Sequence, residues 1–364
     1  MNIEQISAQF AFQGVYSGYE ELKSGNINST YHLSYRYPRR EYILQRINHN
    51  VFKRPDYVME NMLQVTGYLS AKYQAMGIDP SKRVINLIPL RADGYMYVSP
   101  EGEYWRAYEF IEGAKAPDRA ETAAQFRETG RGYGIFQMML SDFPTEKLRV
   151  TIPGFHDTPA RFDVLERAAE ADAAGRAASV GEELTCLRAH RAELCRISEL
   201  LDAGKLPLRV THNDTKTNNV MMDSATGEAL CVIDLDTVMP GTLLWDFGDA
   251  IRFGASNAAE DEPDRSKISL NMDYFDAFTE GFLEGLDGHI TPLEMELLPL
   301  SVAVMTGELA VRFLTDYLNG DTYFKINYPE HNLVRTRAQL TLLQDVFAHQ
   351  RDMTEAVQRF VRKG

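Results

Sequence analysis

Residues 208–236 constrain this chain more than any other stretch. They begin Leu208-Arg209-Val210-Thr211-His212-Asn213-Asp214-Thr215-Lys216-Thr217-Asn218-Asn219, turn at Asp223-Ser224-Ala225-Thr226-Gly227, and continue as an apolar run, Leu230-Cys231-Val232-Ile233, that delivers Asp234. The spacing is H-x-D-x-x-x-x-N with an acid fifteen residues later. Turns collect Asp, Asn and Thr because their side chains satisfy nearby backbone groups; that explains the composition but not the order. The order predicts a strand-loop-strand hairpin with reactive groups at both ends.

Those groups suit phosphoryl transfer. A hydroxyl that attacks the terminal phosphate of ATP must give up its proton, and Mg²⁺ must be held against the phosphate oxygens by hard oxygen ligands. Asp214 is the candidate base, and Asn219 and Asp234 are the candidate metal ligands. Lys216, two residues after Asp214, is placed to reach a phosphate oxygen. Protein kinases use the same H-x-D-x-x-x-x-N loop with a metal-binding Asp after the next strand. Asp236, two residues beyond Asp234, is a rival or second carboxylate.

Two look-alikes read differently. Asp246-Phe247-Gly248 spells the metal-binding tripeptide of protein kinases, but it lies twenty-seven residues after Asn219 and at a helix start. Asp246 is therefore expected to be an N-cap that also braces the catalytic loop. Gly130-Arg131-Gly132-Tyr133-Gly134 lies inside a helical apolar pattern (Phe126, Ile135, Phe136, Met138, Met139, Leu140) with no strand before it, so its glycines are expected to serve close helix packing rather than phosphate binding.

At 364 residues the chain exceeds the roughly 250–300 residues at which single cores stop growing, and two lobes of unequal size are expected. Hydrophobic content of 44% and charged content of 25% are those of an ordinary globular protein. No run approaches the ~18 apolar residues of a membrane span, and Met1-Asn2-Ile3-Glu4-Gln5 lacks the order of a signal peptide, so a cytoplasmic location is expected. Cys186, Cys195 and Cys231 form no C-x-x-C pair and are expected to be core residues. The net charge of −14 argues against a nucleic-acid partner. No membrane partner is expected; the partners are ATP and a small molecule.

Residues 1–110 read as a small, mainly β lobe that covers a nucleotide. Strand-like segments fall at 28–35, 42–47, 84–88, 95–98 and 104–110, and helical periodicity at 56–76 predicts a lone helix packed on the sheet. Ser24-Gly25-Asn26-Ile27-Asn28-Ser29-Thr30 lies between strand-like segments, where a phosphate-covering loop belongs. Gly25, Asn26, Asn28, Ser29 and Thr30 are the candidate donors, although a plain hairpin turn fits equally. Gln45 stands where a phosphate-positioning Lys is expected, which leaves Gln45, Arg46 or Lys216 to compensate. The Glu109 carbonyl and Ile111 N–H are the candidate partners of the adenine edge, at the start of the crossing into a second lobe, 111–364. There, 119–141, 160–177, 182–203, 271–286, 293–318 and 335–361 carry helical periodicity. The fold class is α+β.

Arg312, on an apolar helix, and Tyr323 belong to a segment that admits two readings. An internal salt bridge is the commoner role for such an Arg, and from residue chemistry alone it is favoured. A sugar-binding wall is the other, since aromatic faces and planar polar forks suit a carbohydrate ring.

The longer blocks are more specific. Residues 208–219, Val232-Ile233-Asp234-Leu235-Asp236-Thr237-Val238-Met239-Pro240-Gly241, Asp246-Phe247-Gly248-Asp249 with Arg252-Phe253-Gly254-Ala255-Ser256, and Tyr328-Pro329-Glu330-His331-Asn332-Leu333-Val334-Arg335-Thr336-Arg337 closely resemble N-acetylhexosamine 1-kinases, of the aminoglycoside-phosphotransferase-like superfamily. The similarity extends to Gly25-Asn26-Ile27-Asn28, Tyr42-Ile43-Leu44-Gln45 and Phe155-His156-Asp157-Thr158-Pro159, so Gln45 departs from the broad kinase pattern but not from this subgroup. The resemblance implies a two-lobed protein-kinase-like fold. It also implies Mg²⁺-dependent transfer of the ATP γ-phosphoryl to the anomeric hydroxyl of N-acetylglucosamine or N-acetylgalactosamine, with Arg312 and Tyr323 holding the sugar alongside Asp214. A kinase of the same fold acting on homoserine, choline or an aminoglycoside is the alternative enzyme, and a non-catalytic nucleotide-binding protein the alternative outside enzymes.

Overall fold

The computed structural model describes residues 2–22 and 27–361. In chain order the elements are α1 (Ile3–Ser7), β1 (Val15–Leu22), β2 (Ser29–Arg36), β3 (Arg40–Ile47), α2 (Pro55–Ala75), β4 (Tyr97–Val98), β5 (Tyr104–Glu109), β6 (Ala114–Lys115), α3 (Ala123–Met139), α4 (Thr158–Ala171), α5 (Gly181–Ala189) and α6 (Arg191–Asp202). There follow β7 (Arg209–Thr211), β8 (Val220–Asp223), β9 (Ala229–Val232), β10 (Met239–Gly241), α7 (Leu243–Gly254), α8 (Met272–Leu286), α9 (Pro292–Leu318), α10 (His331–Ala348) and α11 (Gln350–Val361). The fold is α+β and protein-kinase-like, with a β-rich N-terminal lobe and a larger helical C-terminal lobe.

Two compact units result, and neither is continuous in sequence. Unit 1 comprises Met1–Ala116, Asp142–Pro153 and Val220–Pro240; unit 2 comprises Pro117–Ser141, Gly154–Asn219 and Gly241–Gly364. The hairpin that the sequence embeds among helices thus packs with the β-rich unit.

Unit 1 is built on an antiparallel sheet of order β1-β2-β3-β5-β4. One face buries Ile6, Phe10, Phe12, Leu33, Tyr35, Tyr42, Leu44, Trp105 and Ala107, drawn from α1, the segment after it and the inner strands. β2, β3 and β5 fall where alternation predicts them, but the fifth strand does not. Residues 84–88 form only one isolated bridge, Leu87 to Tyr108, and a second joins Leu90 just beyond them to Phe10. The edge place is instead taken by β1, whose residues are exposed or half-buried throughout and whose register shifts between Tyr16 and Gly18. An edge strand open to water has no apolar face to betray it.

α2 forms as its periodicity predicts, with Val58 and Met59 packed against Ile47 and Phe52. Its fully buried Asn61 acts as a clamp. Nδ2 donates to the Arg149 and Val238 carbonyls (2.7 and 2.8 Å), and Oδ1 accepts from the Arg149 N–H at 2.7 Å. Residues 142–153 and 235–240 are thereby fastened to one helix face.

In unit 2 the glycines at 130 and 134 do pack helices. A Cβ on Gly130 would overlap the Phe278 carbonyl and one on Gly134 the Phe282 carbonyl; across the contact, Gly281 and Gly285 meet the Arg127 and Arg131 carbonyls. α3 and α8 approach backbone to backbone because all four lack side chains. α9 begins with a Thr291/Glu294 capping box. By length and composition α9 could cross a membrane, contrary to the expectation that no stretch comes close, yet 83% of its apolar window is buried, as in a core helix.

Several helix boundaries differ from the periodicity. The 160–177 segment stops at Ala171, because Asp172 turns left-handed (φ 40°) and its carboxylate accepts the Arg176 and Ala177 N–H groups at 2.6 and 2.8 Å. The 182–203 segment breaks at His190 into α5 and α6, and 335–361 breaks at His349 into α10 and α11. Periodic apolar residues continue across both breaks, which periodicity alone does not reveal. Cys195 and Cys231 are buried, Cys186 is half-buried, and burial pushes the Cys231 thiol up to about 12.

Candidate active site

The loop 212–219 is shaped by buried acceptors in unit 2. Asp246, 1% exposed, accepts the backbone N–H groups of His212 (3.0 Å) and Asn213 (2.8 Å) and the Gln137 side-chain amide (2.7 Å). Its own carbonyl accepts the Thr215 hydroxyl at 2.6 Å. Asp246 thus braces the loop as expected but is not an N-cap: Thr242 caps α7, and Asp246 lies inside its first turn. Burial pushes the Asp246 carboxyl up, against the opposing pull of His212 and the two backbone donors. Asp249, one helical turn on, accepts the Thr215 N–H (3.2 Å) and pairs with Arg252 (2.8 Å).

On this frame Asn213 adopts φ 65°, and the Asp214 N–H donates to His212 Nδ1 at 3.3 Å. The buried His212 ring packs edge-on against Tyr133 and Phe136, and the Tyr133 hydroxyl donates to the Lys216 carbonyl at 2.8 Å. His212 therefore shapes the loop from within. Asp214 is half-buried, and its Oδ1 meets Lys216 Nζ at 2.6 Å. Asn219 Nδ2 donates to the Asp214 carbonyl (2.8 Å) and to Oδ2 (3.3 Å). Because the nitrogen is committed to Asp214, the amide oxygen is the atom that Asn219 has to offer. Burial works against the charge on Lys216, but Asp214 outweighs it and raises the ammonium pKa. Asp214, Lys216 and Asn219, separated by up to five positions, are joined as one cluster.

In unit 1 the hairpin forms as read. Asp223 Oδ1 accepts the Ala225 and Thr226 N–H groups at 2.9 Å, and Gly227 supplies φ 78°. Val220, next after Asn219, pairs with Val232, two residues before Asp234. Asp234 is left-handed at φ 58°, which turns the chain out of β9 into the Leu235–Thr237 turn.

A buried cation faces Gln45 from the neighbouring strand. Gln45 opposes Arg106 in the β3–β5 register. Arg106 is wholly buried; Nε and Nη2 donate to Gln45 Oε1 (3.0 and 2.7 Å), and Nη1 is ion-paired to Asp236 Oδ1. Gln45 Nε2 donates to the Thr30 hydroxyl (3.0 Å), Asn28 Nδ2 to Asp236 Oδ2 (2.7 Å), and the Asn48 N–H to Asn28 Oδ1 (3.0 Å). Ser29 Oγ accepts from Arg46, whose Nη1 pairs with Glu103 at 2.6 Å. Both Asp236 oxygens are thus engaged. Gly25 and Asn26 lie outside the described residues. Glu109 ends β5 with its N–H on the Asn86 carbonyl (2.9 Å), and Ile111, 9% exposed, follows two residues later.

In unit 2, Arg312 is half-buried on α9 and, among the described residues, makes no ion pair or hydrogen bond; its guanidinium lies over Phe155 (5.4 Å) and Phe324 (5.6 Å). The salt bridge favoured by residue chemistry is absent there, because the carboxylate one turn away is occupied: Glu308 holds His156 Nδ1 at 2.9 Å and the Thr158 hydroxyl at 2.7 Å. A second cation stands nearby. Burial, then the charge of Arg312, depress the pKa of Arg161, which donates to the Phe155 carbonyl at 3.2 Å. Tyr323, 68% exposed, is held by Asp316, which accepts the N–H groups of Thr322, Tyr323 and Phe324 at 2.8–2.9 Å and the Asn332 amide. A cleft of about 820 Å³ bordered by Ser179, Glu182, Glu183, Cys186 and Arg337 contains none of these groups.

Sequence reading missed Arg106, Arg161 and Asp316. Only Arg106 left a trace, as a charge in an otherwise strand-like segment.

The model of the phosphotransferase enzyme family (APH) matches residues 18–281. Among solved structures, the chain is similar to a spectinomycin phosphotransferase in complex with ADP and spectinomycin, at 14% identity and a TM-score of 0.56 over 97% of both chains. It is similar to an aminoglycoside phosphotransferase from Alicyclobacillus acidocaldarius, at 11% identity and a TM-score of 0.62 over 99% of this chain and 97% of that one. A choline kinase from Cryptosporidium parvum matches at 13% identity and a TM-score of 0.54, over 94% of this chain and 91% of that one. With the family match spanning nearly three-quarters of its length and covering loop 212–219 and the hairpin, the chain belongs to the phosphotransferase enzyme family.

Proposed function

We propose that this phosphotransferase moves the γ-phosphoryl of ATP to the anomeric hydroxyl of an N-acetylhexosamine, giving the sugar 1-phosphate. The observation that carries the choice of acceptor is Arg312, a half-buried guanidinium with no carboxylate partner among the described residues, walled by Phe155 and Phe324 and in the field of Arg161. Arg312 and Arg161 share the field of Glu308, already bonded to His156 and Thr158, and two guanidiniums so close disfavour a cationic acceptor such as an aminoglycoside or choline. A neutral ring rich in hydroxyl and carbonyl oxygens supplies the acceptors that the free fork of Arg312 lacks, and Tyr323 adds an aromatic face.

Asp214 is the base. An anomeric hydroxyl is somewhat more acidic than an ordinary alcohol, so a carboxylate need only orient it and take its proton late, while positioning and charge neutralisation do most of the catalysis. Lys216, paired with Asp214 at 2.6 Å, is the cation that a phosphate oxygen would draw away, freeing the base. The residues present fit Mg²⁺. Asn219 keeps its amide oxygen free of Asp214, and Asp234 is the acid assigned to the metal, both oxygens of Asp236 being engaged by Arg106 and Asn28. Among the described residues no group of three His, Cys, Asp or Glu could hold a metal, which suits an ion carried largely by substrate phosphates and one or two protein oxygens. When bound, the metal offsets charge on the phosphates. Gly25, Asn26, Asn28, Ser29 and Thr30 are assigned to the nucleotide phosphates, Gln45 acting through the Thr30 hydroxyl, and Glu109 and Ile111 to adenine.

A second reading, a kinase of the same fold for another small alcohol, is favoured by the similar structures, which include phosphotransferases for spectinomycin and a choline kinase. The test is ATP turnover across N-acetylglucosamine, N-acetylgalactosamine, glucose, homoserine, choline and an aminoglycoside, with phosphorus NMR of the product. An N-acetylhexosamine 1-phosphate is expected. A 6-phosphate, or turnover only with an amino alcohol, refutes the proposal and leaves the family intact.

A further inference from the structure

We propose that Arg106 and Asp236 form a buried positioning pair that pins the start of β2 to the turn that follows Asp234, taking over the ordering role left vacant by Gln45 at the lysine position. This inference rests on the phosphotransferase reading. A guanidinium withdrawn entirely from water persists only when paired and hydrogen-bonded, and here each partner leads onward. From Arg106 one arm runs through Gln45 to the Thr30 hydroxyl; the other runs through Asp236 to the Asn28 amide, whose oxygen is held by the Asn48 N–H. Asn28 and Thr30, on either side of Ser29, are therefore tied at two points to one immobile cation.

The pair joins three segments remote in sequence: the start of β2, the β3–β5 ladder and the turn after the hairpin. Simple burial of a strand would need none of this, because apolar residues of similar volume would stabilise the same contact at least as well. What the polar version adds is geometry. It fixes the backbone after residue 27 relative to Asp234, and it denies Asp236 to the metal. Burial works against the charge on Arg106, but Asp236 and the more distant Tyr108 and Asp234 outweigh it, so the cation remains charged.

The double variant Arg106→Met/Asp236→Leu removes both charges and keeps the volume, and Asn28→Ala cuts one arm while leaving the pair. Binding of a non-hydrolysable ATP analogue, with Mg²⁺ and again in EDTA, is measured by calorimetry beside the melting temperature. The expected result is that both variants melt within a few degrees of the parent and bind nucleotide about tenfold more weakly or worse, with and without metal, as lost charge-assisted contacts dictate. Binding within twofold of the parent by either variant overturns the inference, and so does a loss confined to the Mg²⁺ series, which would make Asp236 a metal ligand. If the double variant does not fold, Asn28→Ala decides alone. A parent that binds no nucleotide would instead refute the phosphotransferase reading beneath it.

Discussion

Replacing Arg312 separates a ligand-holding arginine from a fold-holding one. In the structure its guanidinium contacts two aromatic faces and, among the described residues, no acid. Each cation–π contact is worth about 0.5–1 kcal/mol at an incompletely buried site. Arg312→Ala should thus cost the fold about 1–2 kcal/mol at most, less whatever is regained by relieving Arg161 of a like charge. At about 2–4 °C per kcal/mol for a unit of 150–250 residues, the melting temperature falls by a few degrees. The acceptor loses more. Hydrogen bonds to a charged group are worth about 1.5–3 kcal/mol, so KM for the N-acetylhexosamine should rise about 10- to 150-fold. KM for ATP should stay within about twofold, since the lost bonds belong to the acceptor alone. Arg312→Lys keeps the charge but not the planar fork and should fall between. The assay is steady-state kinetics in both substrates beside a thermal melt. A fall in melting temperature above about 10 °C, with both KM values disturbed together, is the signature of a broken buried ion pair at about 3–5 kcal/mol and would refute the reasoning.

Asp214→Asn should lower kcat by about 10²- to 10⁴-fold while the nucleotide still binds; turnover within tenfold of the parent removes Asp214 from its role. Asp246→Ala strips one acceptor from two buried backbone N–H groups and the Gln137 amide. At about 1–3 kcal/mol per orphaned donor it should cost several kcal/mol, well above the ~1 kcal/mol of a lost cap, and a melt unchanged within 2 °C would contradict this. Glu308 is buried, which alone would raise its pKa, but His156 together with Arg312 and Thr158 holds it below its ordinary 4.5. A carboxyl depressed in the folded state contributes stability above about pH 4.5 and loses it as pH falls through the lower, folded value. The difference in melting temperature between the parent and Glu308→Gln should therefore be constant from pH 7 to 5 and shrink below pH 4.5; no change with pH would show that Glu308 is not the group titrating.

Much of the candidate site's geometry was legible because it is local. The loop 212–219 and the hairpin that delivers Asp234 depend on short offsets, turn residues and an apolar run, and each operates within a few residues of chain. The inner strands β2, β3 and β5, the helix α2, and the glycines of α3 likewise follow from a period of two or of 3.6, since each buries one face. β1 escaped because an edge strand with water on its faces carries no such period, and residues 84–88 misled because apolar alternation serves a part-buried loop bridged at one point as well as a strand.

Tertiary structure decided what the charges do. In the sequence, Arg106, Asp236 and Asn28 are three ordinary polar residues on separate segments, and only the β3–β5 register and the turn after β9 bring them to one buried cation. Asp246 looks like a cap from its neighbours; the fold places Thr242 at that position and turns Asp246 onto the loop 212–219. Arg312 is the sharpest case. Its helix is apolar, and an internal ion pair is the ordinary expectation, but the Glu one turn before it is held by His156 and Thr158 from α4 and the segment before it. Sequence thus determined which groups are present and the local geometry of the loop that bears Asp214. Which charges neutralise one another, and which are left to meet a ligand, depends on contacts between segments a hundred or more residues apart, where spacing along the chain carries no information.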